Sequence, residues 1–392
     1  MTDNGRGEPL VWLIAGEPSG DLIGARLIVA LRDMTGGHIR IAGIGGDAMR
    51  AEGLESLFPI SDIALMGVVE IVHRIPRIKK RMRQTIRRIR QDRPDIVVSI
   101  DVPGFASEIW KGLQGEGIPL IHYVAPTVWA WRPGRAKAFA KWLDHLLALL
   151  PFEPPFFERE GLPCTFVGHP VLQGGADGGD GKAFREKHGI APETTVICVL
   201  PGSRRGEIKK LVRVFREASA QILQRHPGTV FVFPAVSYLE AYLRQQIGDW
   251  PGRTIVVATI AEKFDGMAAS NAAIAASGTV SLELAMARVP HVIAYRLNAI
   301  TVAVIKHLQG VRQQFANLVN ILLEREVVPE LIQEKCRGET IATETLRLLD
   351  DPAARAAQLD GMREALGMLR PPEGEPSRIA ASVVLSYLEK NA

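Results

Sequence analysis

Two stretches of the 392-residue chain run from an apolar strand through a glycine-containing turn into a helix. In the first, strand 11–15 leads into a turn at 16–21, and in the second, strand 196–200 leads into a turn at 201–207. The two turns lie about 185 residues apart. Because each pattern is typical of the first strand of a parallel sheet, we predict two doubly wound α/β halves. Each would place a ligand-binding loop at the carboxyl edge of its sheet.

The length of the chain and one glycine-rich stretch suggest where the halves divide. A chain of 392 residues exceeds what one hydrophobic core usually organises, so we expect a first domain at 1–172 and a second at 183–372. The Gly/Asp-rich stretch 173–182 is interpreted as a flexible linker. Beyond the second domain, residues 373–392 carry apolar side chains at helical spacing, which predicts a C-terminal helix.

The composition excludes several classes of protein. With 47% hydrophobic and 23% charged residues, the chain is typical of a soluble enzyme. Cys164, Cys198 and Cys336 form no Cys-x-x-Cys pair, which indicates buried, reduced thiols and a cytoplasmic protein. Residues 1–9 lack the apolar core of a signal peptide, and no apolar run is long enough to span a membrane. No group of residues has metal-ligand spacing, so neither a metal nor another cofactor is expected.

A strongly basic segment at 77–90 predicts an amphipathic helix. Eight of its fourteen residues are Lys or Arg and none is acidic, whereas Ile and Met recur at helical spacing. The apolar side fits docking on a sheet, and the cationic side fits phosphates of nucleic acid, of lipid headgroups or of a substrate. The helix carries no aromatic residue for stacking, which disfavours nucleic acid. The apolar run 64–72 before it is either a buried element or a surface for acyl chains.

The turn after the second strand has the features of an anion site. Gly202, Ser203 and Arg204 follow the strand directly, and the next helix offers free backbone N–H groups and the positive end of its dipole. The turn lacks the Lys-Ser/Thr ending of a Walker loop and the spaced glycines of a dinucleotide site, so neither ATP chemistry nor hydride transfer is indicated. Alone, the motif leaves two interpretations open, a phosphate seat or a basic turn at an exposed helix start.

Other polar residues follow strands in a similar way. Asp101 comes after an apolar strand, where a carboxylate either reaches a ligand or caps the next helix. One short segment then combines aromatic and basic side chains: His122, Trp129, Trp131 and Arg132. Tryptophan faces can line a sugar or acyl pocket, and arginine can hold phosphate in a bidentate way. The segment therefore predicts a binding surface rather than plain core.

A third strand, turn and helix occurs in the second half. It places Ser277, Gly278 and Thr279 at a helix start, with Glu283 about one turn further along. A carboxylate at that position can accept hydrogen bonds from both hydroxyls of a ribose or another sugar diol. The alternative is that Glu283 merely stabilises the first turns of its helix.

Taken together, these segments resemble one family, the lipid-A-disaccharide synthases. The resemblance is carried by segments in the family's order and spacing, at 15–21, 100–103, 122–131, 200–204 and 277–279. It extends over about residues 10–385, and the runs 66–70 and 320–333 share it. Gly104 and Val319 depart from the family's usual acidic residue and proline.

The resemblance implies an inverting glycosyltransferase of the GT-B fold, with two Rossmann-like, doubly wound domains facing an interdomain cleft. In such chains a C-terminal helix often returns to the first domain. The implied reaction joins UDP-2,3-diacylglucosamine to 2,3-diacylglucosamine 1-phosphate, also called lipid X, and yields the β-1,6-linked lipid A disaccharide 1-phosphate and UDP. The implied location is peripheral, on the anionic inner face of the cytoplasmic membrane. A homodimer remains an open alternative for the oligomeric state.

The implied reaction assigns roles to particular residues. One base must take the proton of the acceptor hydroxyl, and fixed donors must stabilise the departing diphosphate. Asp101 is the first candidate for the base, with Glu17 second and His122 third. The candidate donor-binding residues are Gly202, Ser203, Arg204, Ser277, Gly278, Thr279, Glu283 and Asn320. The candidate contacts to acceptor, lipid or membrane are Met66, Val68, Val69, Lys79, Lys80, Arg83, Arg87, Trp129, Trp131 and Arg132.

Two alternatives from other classes remain at this point. A UDP-sugar 2-epimerase-like enzyme of the same fold would share the diphosphate seat but would need no acceptor. A non-catalytic protein would use the basic helix to bind a membrane or a nucleic acid.

Overall fold

The computed structural model describes residues 7–63, 68–131, 134–276, 278–296 and 315–390; the side chains of 68–74, 130–131 and 390 fall outside this description. The chain divides into two compact units. The first comprises Met1–Pro170 together with Leu369–Ala392, and the second comprises Val171–Met368. Elements are numbered along the chain.

The first unit contains a parallel sheet of six strands among its described residues. The strands are β1 (Leu10–Ala15), β2 (Arg40–Ile44), β3 (Ile96–Ile100), β4 (Leu120–Tyr123), β5 (His145–Ala148) and β6 (Cys164–Phe166). Their order in the sheet is β2-β1-β3-β4-β5-β6, and Trp12 of β1 pairs with Val97 of β3. The strand order therefore reverses between β1 and β3, which is where open α/β sheets bind ligands.

Helices cover both faces of this sheet. They are α1 (Pro18–Thr35), α2 (Asp47–Ala51), α3 (Val68–Asp92), α4 (Pro103–Gly112), α5 (Val128–Trp131), α6 (Arg135–Ala140), α7 (Pro154–Glu158) and α16 (Pro376–Lys390). Along β1 the side chains alternate, with Trp12 in one apolar cluster and Leu13 in the other. Because both clusters are buried, the strands are apolar on both faces, as parallel sheets require.

The second unit repeats this plan. Its strands are β7 (Val196–Leu200), β8 (Val230–Pro234), β9 (Arg253–Val257), β10 (Ala272–Ala275), β11 (His291–Tyr295) and β12 (Glu330–Ile332). Its described helices are α8 (Gly181–Lys187), α9 (Arg205–Arg225), α10 (Glu240–Gln246), α11 (Ile260–Ala268), α12 (Val280–Met286), α13 (Leu318–Leu323), α14 (Gly338–Asp350) and α15 (Pro352–Met368). The sheet order is β12-β11-β10-β7-β8-β9, so the reversal falls between β7 and β10.

Short 3-10 helices complete the description, at Ile60–Asp62, Pro170–Gln173, Ala176–Gly178, Ser237–Leu239 and Gln333–Lys335. The predicted α/β class with two doubly wound sheets is confirmed. The helices that follow the two glycine-containing turns, α1 and α9, begin a few residues earlier than predicted, at Pro18 and Arg205. Proline is favoured at the first helical position because it lacks the N–H that would be unsatisfied there, which explains the first of these starts.

The stretch 173–182 is packed, so the expectation of a flexible linker is wrong. A Cβ added to Gly179 would lie 2.2 Å from the carbonyl oxygen of Phe264, and one added to Gly181 would meet the backbone of Ala268 at 2.5 Å. The backbone N–H of Asp180 also donates to Oδ1 of Asp265 at 2.7 Å. These glycines are needed for close approach to α11 rather than for freedom of the chain.

The C-terminal helix α16 belongs to the first unit. Ala380, Ala381 and Val384 are buried in the same apolar cluster as Leu27 of α1. The Tyr387 hydroxyl donates to the carbonyl oxygen of Asp144 at 2.9 Å. The end of the chain therefore contributes directly to the core built around its first strand. In the part of the chain that the structure describes, no helix is both long and apolar enough to cross a membrane.

Candidate functional site

The predicted phosphate seat follows β7 in the second unit. Gly202 has a φ of 117°, a conformation that favours glycine, and it turns the chain toward α9. Arg204 is the extended N-cap residue of this 21-residue helix and makes no side-chain capping bond to it. The first turn of α9 therefore presents backbone N–H groups, and the positive end of its dipole, beside an exposed guanidinium.

Glu207 lies against this seat, and sequence reasoning missed it. Its Oε2 accepts a hydrogen bond from the backbone N–H of Ser203 at 3.0 Å, and its Oε1 lies 3.4 Å from a guanidinium nitrogen of Arg204. A Cβ on Gly202 would come within 2.5 Å of the same carboxylate. The protein's own carboxylate thus occupies donors that would also suit an external anion.

A cavity of about 360 Å³ opens above this loop. It lies at the carboxyl ends of the paired strands β7 and β10, at the reversal of strand order. Gly202, Ser203 and Arg204 line one side, and Gly278, Thr279 and Glu283 line another. The structure therefore brings together six of the predicted donor-binding residues from two separate segments of the chain. Ser277, predicted with them, lies outside the described residues.

Two further walls of the cavity were not predicted. Ala235 and Val236 follow β8, and Lys263 projects from α11. The Lys263 ammonium lies 2.6 Å from Oε2 of Glu283. No spacing in the sequence connects these two residues, because the pairing depends on how α11 and α12 pack.

Tyr238 is held at the edge of the phosphate seat. Its hydroxyl donates to the carbonyl oxygen of Ser203 at 2.9 Å, while 63% of the residue remains exposed. The bond fixes an aromatic ring beside the loop. Sequence reasoning gave no signal for this contact either, since 35 residues separate the two partners.

Asn320 was predicted to bind donor or acceptor, but the structure gives it a scaffold role. The side chain is fully buried. Its Nδ2 donates to the carbonyl oxygen of Val328 and to Glu330, and its Oδ1 accepts the N–H groups of Val327 and Val328. These bonds use the hydrogen-bonding capacity of the amide to hold the turn after α13, so none is left for a ligand.

We therefore expect Asn320→Ala to act on stability. Removing the amide leaves buried backbone groups unsatisfied and should lower the free energy of unfolding of the second unit by roughly 2–4 kcal/mol. Chemical denaturation would measure this loss, with the exposed neighbour Glu324, changed to Gln, as the matched control. A fall in UDP affinity with unchanged stability would contradict the scaffold role.

Asp101 lies in a strained turn at the end of β3, in the first unit. Asp101 and Val102 have φ values of 57° and 47°, and such a conformation is a genuine outlier for the β-branched Val102. The strain persists because neighbouring groups impose it: the backbone N–H of Asp101 donates to the carbonyl oxygen of Tyr123 at 2.9 Å. Backbone strain of this kind is concentrated at functional sites.

The contacts of Asp101 disfavour the capping alternative. Oδ1 accepts the N–H of the next residue, Val102, at 2.8 Å, and α4, whose N-cap is Val102, receives no side-chain capping bond. Oδ2 lies 3.3 Å from the hydroxyl of Ser19, in the first turn of α1. Glu17 is the N-cap residue of that helix. The structure therefore gathers Asp101 and Glu17, the first and second candidate bases, at the reversal between β1 and β3.

His122 does not join them, and its burial corrects its candidacy as a base. The imidazole is fully buried on β4, where its Nδ1 lies 2.9 Å from the Ser99 hydroxyl and its ring makes an edge contact with Trp110. Burial lowers the pKa of His122 to about 3. Burial and a neutral charge state disfavour His122 as the base that takes the proton of a substrate hydroxyl.

Trp129 is held by a buried acid. Its indole N–H donates to Oε1 of Glu153 at 3.2 Å, and Oε2 of Glu153 accepts the N–H groups of Leu149 and Leu150. Burial raises the pKa of Glu153 to about 7. Glu153, the N-cap residue of α7, thus holds the Trp129 indole in place. Trp131 belongs to α5, but its side chain, like the whole of Arg132, lies outside the description.

The predicted basic helix lies within α3 and docks as expected. Ile89 is buried in a core cluster, with Ile78, Met82 and Ile86 packed against it. Asp62 pairs with Arg77 at 2.7 Å and also with Arg81, and Arg90 pairs with Glu116 at 2.9 Å. Four other cations have no ion-pair partner among the described side chains: Lys79, Lys80, Arg83 and Arg87.

The apolar residues predicted beside this helix are only partly described. Met66 lies outside the described residues, and the side chains of Val68 and Val69 are likewise not described.

Among the described side chains, His, Cys, Asp and Glu form no group of three that could hold a metal ion. The metal-free reaction therefore stays a prediction.

Comparison with solved structures defines the class of fold. A putative UDP-N-acetylglucosamine 2-epimerase from Listeria monocytogenes matches with a TM-score of 0.66 and 14% identity, over 98% of this chain and 97% of the other. A calicheamicin glycosyltransferase matches with a TM-score of 0.58 and 17% identity, over 99% and 100% of the two chains. The fold is therefore the GT-B type, which glycosyltransferases share with UDP-sugar epimerases.

Sequence similarity is far more specific. A family model described as lipid-A-disaccharide synthetase matches residues 11–383. A lipid-A-disaccharide synthase of Rhodospirillum centenum is 50% identical over 383 residues, covering 97% of this chain and 95% of the relative. The chain belongs to the lipid-A-disaccharide synthase family, and it is a glycosyltransferase.

Proposed function

We propose that the protein transfers 2,3-diacylglucosamine from UDP to the 6-hydroxyl of 2,3-diacylglucosamine 1-phosphate. The products are the β-1,6-linked disaccharide 1-phosphate and UDP. The observation that carries this proposal is the cavity between the phosphate seat and Glu283, in a chain that belongs to this family. The cavity has the groups that a nucleoside diphosphate needs, a cationic loop for the phosphates and a carboxylate for the ribose.

Inversion at the anomeric carbon requires one direct displacement. The acceptor oxygen attacks as the bond to the diphosphate breaks, so negative charge grows on the leaving phosphate. The N–H groups that begin α9 are held in place by the helix before the reaction, and together with the Arg204 guanidinium they stabilise that charge. In this scheme, the incoming phosphate takes the place of the Glu207 carboxylate at Ser203.

The attacking hydroxyl must lose its proton to a base. Asp101 is our choice, because its carboxylate is held by a strained backbone and makes one bond to Val102 and a long one to Ser19. Such an arrangement leaves lone pairs for an acceptor hydroxyl. Glu17 at the start of α1 is the second candidate.

Product analysis with defined lipids tests the proposed reaction. UDP should be released only when UDP-2,3-diacylglucosamine and 2,3-diacylglucosamine 1-phosphate are both present, and the disaccharide 1-phosphate should form in equal amount. The epimerases among the structural neighbours share the fold, so the donor is also incubated alone. Conversion of the donor sugar without an acceptor would contradict the transferase proposal.

We also propose that α3 contacts the anionic inner face of the cytoplasmic membrane. Lys79, Lys80, Arg83 and Arg87 are exposed and lack described ion-pair partners, whereas Arg81 is neutralised by Asp62. Each basic residue near an anionic bilayer contributes roughly 1 kcal/mol of attraction, so four together give substantial, salt-sensitive binding. This surface would present the enzyme to its acylated substrates.

Neutralising these four cations to Gln should release the protein from anionic vesicles. Vesicle sedimentation at low salt would measure the loss, and turnover on detergent-dispersed lipid should survive. A charge-matched control changes Lys182, Arg213, Arg225 and Arg363, exposed cations of the second unit, to Gln. Equal loss in both variants would contradict a specific role for α3 and leave only a general charge effect.

A further inference from the structure

One cation in the cavity of the second unit has no role in the scheme above. Lys263 lies on α11, one turn after the N-cap residue Thr259. Its ammonium is 2.6 Å from Oε2 of Glu283, and the two side chains are only 27% and 25% exposed. Both residues line the same cavity as Arg204. A partly buried pair that lines a cavity differs from an exposed surface pair such as Arg213 with Glu217.

The pair controls where the Glu283 carboxylate points. An ionised carboxylate has two oxygens and accepts several hydrogen bonds. Lys263 binds Oε2, so the carboxylate is restrained while Oε1 remains available to a ligand. A free glutamate side chain would lose rotamer entropy on binding a ligand, and a restrained one has already lost it. Lys263 thus lowers the entropic cost of binding a ligand through Glu283.

We infer that Lys263 is a positioning residue for a ribose site, and that it makes the cavity selective for ribonucleotides over deoxyribonucleotides. This inference rests on the proposed function, in which Glu283 receives the ribose hydroxyls of the UDP donor. The ammonium holds Oε2, so that the 2′-hydroxyl can donate to the remaining oxygen, Oε1. Phosphate binding belongs to Arg204 and the start of α9, which line the same cavity.

The test compares UDP with 2′-deoxy-UDP by titration calorimetry. The wild-type protein should bind UDP roughly tenfold more tightly, the value expected for one hydrogen bond to a charged group. In Lys263→Met, UDP affinity should fall to that of the deoxy nucleotide, while affinity for 2′-deoxy-UDP changes less than twofold. Lys263→Arg should restore part of the preference for UDP over 2′-deoxy-UDP. Glu283→Ala should abolish this preference, and adding Lys263→Met to Glu283→Ala should change it no further.

The matched control is Lys187→Met, which removes another 2.6 Å pair, between Lys187 at the end of α8 and Glu262, the residue before Lys263 on α11. Neither partner of this pair lines the cavity. Its nucleotide preference should equal that of the wild type, and melting temperatures would verify that all variants fold. An equal loss of affinity for both nucleotides in Lys263→Met would overturn the inference, because it would indicate that the ammonium contacts the diphosphate instead. An unchanged preference would also overturn it. If the wild-type protein bound neither nucleotide, the proposed function itself would fail.

Discussion

Changing Asp101 to Asn should lower turnover by about 10²- to 10⁴-fold, the contribution typical of a general base. Asparagine suits this test because it differs from aspartate chiefly in its basicity. Its side-chain oxygen can still accept the N–H of Val102, and asparagine tolerates the left-handed backbone found at this position. The strained turn should therefore survive, so that a loss of activity reports lost proton transfer. UDP affinity should be unchanged, because the phosphate seat belongs to the second unit.

Two comparisons make this result decisive. Ser19→Ala removes the hydroxyl that lies 3.3 Å from the Asp101 carboxylate and should alter turnover only severalfold. Glu17→Gln tests the second candidate base directly. Near-normal turnover in Asp101→Asn, combined with a large loss in Glu17→Gln, would transfer the role to Glu17. Initial rates and melting temperatures of all three variants would separate chemistry from stability.

Changing Arg204 to Gln should lower kcat/KM by roughly 10²- to 10³-fold, about 3–4 kcal/mol, as for the loss of one preorganised donor to a developing anion. The guanidinium lies at the start of α9 on the wall of the cavity, where the leaving phosphate gains charge. Part of the loss should appear in kcat, because the charge is greater in the transition state than in the bound donor. Lysine should rescue incompletely, since it offers no planar fork of donors.

The neighbouring arginine provides the control. Arg205 has the same charge and is exposed, but its guanidinium lies 5.2 Å from the ring centroid of Tyr242 rather than in the cavity. Arg205→Gln should therefore change kcat/KM less than about twofold, the expectation for a surface charge. Steady-state kinetics with donor varied at saturating acceptor would measure both variants. Similar losses in the two would contradict a specific role for Arg204.

Local chemistry explains what could be predicted. Apolar strands followed by glycine turns and helices are recognisable from short local segments, so both sheets and the phosphate loop could be predicted from the sequence. Gly202 illustrates the reason, because a left-handed turn beside a helix start has few other solutions. The basic amphipathic helix was equally clear, since its period is a property of the segment itself.

Burial and long-range pairing explain which features could not be predicted from the sequence. His122 and Asn320 are residue types common in active sites, and only the packed structure shows that both are enclosed in the protein. The same packing turned the glycine-rich stretch 173–182 into a close contact with α11, because small residues allow backbones to approach as readily as they allow them to move.

The sequence by itself therefore determined the two doubly wound halves, the phosphate loop and the family. The tertiary structure decided which side chains share one cavity. Lys263 reaches Glu283 from another helix, and Glu207 folds back over its own loop to bind Ser203. These contacts depend on distances between elements, whereas sequence patterns record only the order along the chain. The physical reason is that a strand or helix is specified by its own residues, but the place where two of them meet is specified by the whole core.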